Sequence, residues 1–120
     1  MPSPEILQQN GVTIVALGSK YQKIGEDVVS TIGDILLEAA QADPPLVIVD
    51  LSQTEFFSSS FIELLFRVWN RIHPQEGGRF ALCGLTPYCA EILSVTNLDT
   101  LWEVYETREA AVEALASPST

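Results

Sequence analysis

Two short apolar runs decide what this chain can fold into. Leu46-Val47-Ile48-Val49 and Phe80-Ala81-Leu82-Cys83 are continuous rather than alternating. That is the pattern of a strand covered on both faces. Strands of this kind need helices above and below them, so the segments between the runs have to supply apolar helical faces.

Those segments fit. Residues 24–41 read as an amphipathic helix, with Ile24, Val28, Ile32, Ile35, Leu36 and Ala39 on one side. Pro44-Pro45 stops anything helical before it. A second helix is expected from Ser59 to His73, closed by Pro74 and Gly77-Gly78. Thr86-Pro87 is a helix start, with Thr as cap and Pro at the first helical position, and that helix runs to about Val95. Thr107 caps a final helix ending near Ala116. Before all of these, Asn10-Gly11 marks a two-residue hairpin between strands at about Glu5–Gln9 and Val12–Leu17. A last strand is expected at Leu101–Tyr105, and Ser52 to Phe57 reads as loop.

The order is β-β-α-β-α-β-α-β-α. It predicts an α/β fold: one mixed, mostly parallel sheet of about five strands, with about four helices mainly on one side. The 120 residues suit a single domain over residues 5–116. Residues 1–4 and 117–120 are expected to fray.

Charge narrows the function. Sixteen acidic residues face six basic ones, a formal net charge of −10. No basic stripe is available for phosphate backbones or anionic lipid, so neither nucleic acid nor membrane is an expected partner. Partners should be basic. No secretory signal or membrane-length apolar run is visible, and two cysteines make no disulfide framework. A cytoplasmic protein is expected.

Chemistry is sparse. The lone histidine, His73, stands at a helix end, where its charge complements the dipole. Neither zinc-ligand spacing nor a glycine-rich phosphate loop occurs. No nucleophile, base and orienting group can be assembled, so the chain is expected not to be an enzyme and to use no cofactor or metal. Asp50 ends a buried strand, as the phosphate acceptor of a receiver domain does. However, the accompanying acids and the later lysine are missing, so it reads as a structural loop acceptor.

The strongest local feature is Phe56-Phe57-Ser58-Ser59-Ser60-Phe61-Ile62-Glu63. One serine should cap the second helix, and Ser60 with Glu63 reads as a capping box. A phosphate here would sit in the positive end of the helix dipole.

Taken together, the layout resembles a STAS domain, the fold of bacterial anti-sigma factor antagonists and of the cytoplasmic tails of sulfate transporters. The residues carrying the likeness are Leu46-Val47-Ile48-Val49-Asp50-Leu51-Ser52, then Phe56 to Ser60, then Gly77-Gly78-Arg79-Phe80 through Pro87. Leu93-Ser94-Val95-Thr96-Asn97-Leu98 adds a further match. The likeness covers about residues 5–116. It implies a non-enzymatic interaction module that binds an anti-sigma-type serine kinase and is switched by phosphorylation at Ser59. Ser58 stands where the family motif D-S-S-G has aspartate, and Phe61 where it has glycine. Gly18-Ser19-Lys20-Tyr21 stands where the family often has G-E-L-D. The alternatives are a constitutive scaffold or homo-oligomerisation module, or a small-ligand sensor.

The second helix also carries an apolar arc of roughly 200°, wider than one buried face needs. Either neighbouring helices cover the excess or an exposed strip remains near Ser59. Phe61, Phe66 and Trp69 are the candidate partner-binding aromatics.

Overall fold

The computed structural model describes residues 5–18, 23–42 and 45–116. The expected fraying at both ends, Pro44 of the Pro-Pro stop, and Ser19-Lys20-Tyr21 lie outside the described residues.

Among the described residues, seven strands and four α-helices follow in order: β1 (Glu5–Gln9), β2 (Val12–Ala16), β3 (Lys23–Ile24), α1 (Glu26–Ala39), β4 (Leu46–Asp50), β5 (Phe56–Phe57), α2 (Ser59–Ile72), β6 (Arg79–Cys83), α3 (Pro87–Val95), β7 (Glu103–Tyr105) and α4 (Arg108–Ala116). Asn10 and Gly11 both take positive φ, 52° and 81°, which suits the tight turn of the β1–β2 hairpin. β1 pairs antiparallel with β2; β4, β6 and β7 then add in parallel, giving the order β1-β2-β4-β6-β7.

Alternation along the strands builds two cores. Val15, Val47, Val49, Phe80 and Leu82 point to the face covered by α1, α2 and α3. Val12, Ile14, Ile48, Ala81 and Cys83 point the other way, onto α4. Three helices on one face and one on the other match the expected layering, and the continuous runs are buried on both sides.

Three boundaries move. Ser52 to Phe57 is not all loop: β5 pairs in parallel with β3 in a separate two-stranded sheet, Lys23 opposite Phe56 and Ile24 opposite Phe57. Ile24 therefore belongs to a strand, and α1 begins at Glu26 after Gly25. The last strand starts at Glu103, because Leu98–Thr100 winds into a 3-10 turn that follows Asn97 at φ 61°.

A second link escaped sequence reasoning because its members are 24 residues apart. Arg79 grips Glu103 with two nitrogens, Nε to Oε2 at 2.9 Å and Nη2 to Oε1. Its Nη1 donates to the Ala114 carbonyl at 2.9 Å, and the Tyr105 hydroxyl donates to Glu103 Oε1 at 2.6 Å. One guanidinium thus joins β6, β7 and the end of α4.

Candidate functional site

The site lies at the C-terminal ends of the parallel strands. β4 ends at Asp50, whose Oδ1 accepts the Ser52 N–H at 2.9 Å and turns the chain. Its Oδ2 receives Arg108 Nε at 2.9 Å and Nη2 at 2.8 Å. Asp50 is thus the loop acceptor expected of it, and an ion-pair partner of α4 as well.

After the turn, β5 runs to Phe57. The Ser58 N–H donates to the Ile24 carbonyl at 2.9 Å, so Ser58 keeps extended dihedrals, φ −83° and ψ 169°. An N-cap needs that conformation. Ser58 is accordingly the cap, its Oγ accepting from the Phe61 N–H at 3.4 Å. The expected capping box between Ser60 and Glu63 does not form, because Ser60 already lies in the first helical turn. It instead lines a groove between α1 and α2 with Glu63, Arg67 and Asp34. Ser59, the first helical residue, is exposed.

Phe61 is corrected outright: it is fully buried, with its ring 5.4 Å from that of Phe57. The third helical position turns toward the sheet beneath β3 and β5, so Phe61 is core and not a docking residue. The apolar arc of α2 is largely covered. Phe66 is half-buried, its ring meeting Trp102 edge-on at 5.1 Å. Trp69, also half-buried, stacks on His73 at 4.2 Å, and His73 occupies the C-cap position of α2.

The exposed aromatics are elsewhere. Phe56 is 41% exposed and Tyr88 51%, and their rings stack with centroids 5.9 Å apart. A signal existed for Phe56: in a strand, Phe57 pointing in obliges Phe56 to point out. Tyr88 comes alongside because α3 is tied to the loop after β4. Thr86 occupies the cap position of α3 but does not cap; its Oγ1 donates to the Thr54 carbonyl at 3.0 Å, where the Cys89 Sγ also points at 3.5 Å. Ser52, Gln53, Glu55 and Thr86 line a shallow polar depression beside the aromatic pair. The candidate surface is therefore Ser59, the Phe56–Tyr88 stack and this depression, all following the C-terminal ends of β4, β5 and β6.

The two cysteines belong to opposite cores, Cys83 on β6 beneath α4 and Cys89 on the buried face of α3. The sheet stands between them, and both are free thiols. Burial, and then the Asp50 charge, pushes the Cys83 thiol up to about 12, and burial raises Cys89 as well. The thiolate is the attacking form, so a thiol held this far up is largely unreactive at pH 8. Neither thiol is expected to react with an aromatic disulfide reagent within minutes at pH 8, whereas both react at once in concentrated urea. A native-state burst at either position contradicts the burial described above.

The STAS domain family model matches residues 3–111, and the chain belongs to that family. Among solved structures it is similar to an anti-sigma-factor antagonist (STAS) domain protein from Planctomyces limnophilus, at 42% identity and a TM-score of 0.89, covering 95% of this chain and 98% of that one. An anti-sigma factor antagonist from Mycobacterium paratuberculosis aligns with 21% identity, TM-score 0.81, over 95% and 93% of the two chains. The phosphorylated form of the Bacillus cell fate determinant SpoIIAA aligns with 16% identity, TM-score 0.68, over 93% and 98%. The last two likenesses are of fold. No curated protein sequence matches the chain.

Proposed function

We propose that this STAS domain is a non-enzymatic regulator of the anti-sigma factor antagonist type, docking a serine kinase of the anti-sigma class at the surface around Ser59 and released when Ser59 is phosphorylated. The observation that carries the reading is the exposed Ser59 at the first position of α2, three residues after Phe56, whose exposed ring stacks on exposed Tyr88. Aromatic anchors favour a protein partner, since Tyr and similar side chains dominate binding hot spots. A phosphate on Ser59 adds about −1.5 to −2 charges inside that surface. It is tolerated by the helix, whose N-terminus favours anions, but its desolvation opposes a closed interface. The Bacillus cell fate determinant SpoIIAA, a protein of this fold, exists in a phosphorylated form, which supports the same reading.

The sheet order weighs against the ligand-sensor alternative. Open α/β sheets bind ligands in the crevice where strand order reverses. In β1-β2-β4-β6-β7 the order never reverses.

The test is phosphosite mapping on the protein drawn from its host with its bound partners, together with Ser59→Asp. The expected outcome is phosphate on Ser59, a kinase among the partners, and affinity for it reduced at least about tenfold by Ser59→Asp, which corresponds to about 1.4 kcal/mol. Thermal stability should not fall, because Ser59 is exposed and the helix N-terminus favours a carboxylate. Binding should also weaken with salt, as expected for an acidic protein on a basic partner. Partners present with Ser59 always unmodified would establish the scaffold reading instead, with the serines reduced to helix-capping chemistry.

A further inference from the structure

We propose that α4 is a releasable strap over the second face of the sheet, latched by the Asp50–Arg108 pair and able to open as a unit while the first core stays folded. The two faces are unequal. On the first, three helices bury large side chains, among them Phe57, Phe61, Leu64, Leu65 and Ile72. On the second, α4 is the one described helix over the strands, and it contributes buried Ala111, Val112 and Leu115 with partly buried Ala114 and Ala116. Opening free energy follows the apolar area that an element buries, so α4 should separate at far lower cost than the whole domain.

Polar links fasten it near both ends. Arg108 holds Asp50 at the start of the helix, and Arg79 holds the Ala114 carbonyl near its finish. Both arginines are about one-third exposed, so water can replace these bonds as the helix leaves. Asp50 is only 7% exposed while α4 is docked. Departure of α4 wets this carboxylate at the same moment, so the pair separates into solvent. By contrast, removing Arg108 leaves Asp50 buried and uncompensated in the docked state alone. That substitution should therefore favour release.

Cys83 lies beneath α4 and serves as the reporter. Trp69 and Trp102 both belong to the first core and report global unfolding. In Cys89→Ala, which leaves Cys83 as the single thiol, labelling at rising urea gives the population of the open form. Tryptophan fluorescence gives the globally unfolded population. The open form is expected to exceed the unfolded one at least about tenfold, with a urea slope under about half the global one, since less surface is exposed. Arg108→Gln should raise Cys83 labelling by a further tenfold or so without altering that slope. Should Cys89→Ala fail to fold, site-resolved labelling of the wild-type chain and amide exchange of residues 108–116 give the same comparison. Cys83 labelling with the population and urea slope of global unfolding, or α4 amides as protected as those of β4 and β6, would overturn the proposal.

Discussion

Replacing Phe61 with alanine is expected to cost about 3–5 kcal/mol, as truncations of buried aromatics do. For a domain of this length that lowers the melting temperature by roughly 10–20 °C. The cause is geometric. Phe61 has no exposed surface, faces Phe57 at 5.4 Å, and sits where the first turn of α2 meets the β3–β5 sheet. Truncation leaves a cavity below the helix start that presents Ser59. Phe56→Ala, five residues earlier, provides the contrast: Phe56 is open to solvent, so stability should move by no more than about 1 kcal/mol. Thermal melts of both variants decide the matter. Equal and small effects would mean that Phe61 is exposed in solution and that the buried placement is wrong.

Gly78→Ala is expected to be comparably damaging, while its neighbour Gly77→Ala is mild. Backbone dihedrals alone suggest the opposite, because Gly77 is the one with positive φ, 78°. Adding a methyl group there costs about 1–2 kcal/mol in left-handed strain. At Gly78 the added carbon would stand 2.3 Å from the Ile72 carbonyl oxygen and 3.1 Å from Pro45 Cγ. The carbonyl belongs to the backbone at the end of α2 and already accepts the Gln75 N–H at 3.0 Å. It cannot move without unwinding that end, and the Arg79 N–H, bonded to the Pro45 carbonyl, fixes the other side. A loss of about 3 kcal/mol or more follows, in the range of severe overpacking. Urea midpoints for the two variants give the ranking, and a Gly77→Ala effect larger than that of Gly78→Ala would refute it.

Much of the main sheet could be read from the chain. Leu46–Val49 and Phe80–Cys83 are continuous apolar runs, Asn10-Gly11 is a turn that few other pairs can make, and Thr86-Pro87 announces its helix. What stayed hidden has physical reasons. β3 and β5 are two residues each, too short for any periodicity to register. Ser58, Ser59 and Ser60 are chemically equivalent as caps, and only the β5 pairing through Ile24 selects the first of them. The three phenylalanines at 56, 57 and 61 are equally apolar, so composition cannot say which one faces water. The Arg79–Glu103 and Asp50–Arg108 pairs join residues 24 and 58 positions apart, beyond the reach of local pattern. The STAS resemblance located the Ser59 region, but the exposed Tyr88 beside it depends on the Thr86–Thr54 bond.

The uninterrupted order of the main sheet also bears on how the chain is assembled. Each strand pairs with the one laid down just before it in that sheet, and the hairpin at Asn10-Gly11 supplies a first edge. A chain emerging from the ribosome therefore never has to reopen a finished edge to admit a later strand: β4 meets a waiting β2, β6 a waiting β4, β7 a waiting β6. Loop-closure entropy stays modest at every step, since each parallel join spans a single helix and its connections. The sheet can grow from one side as synthesis proceeds, leaving α4 to close over the far face last.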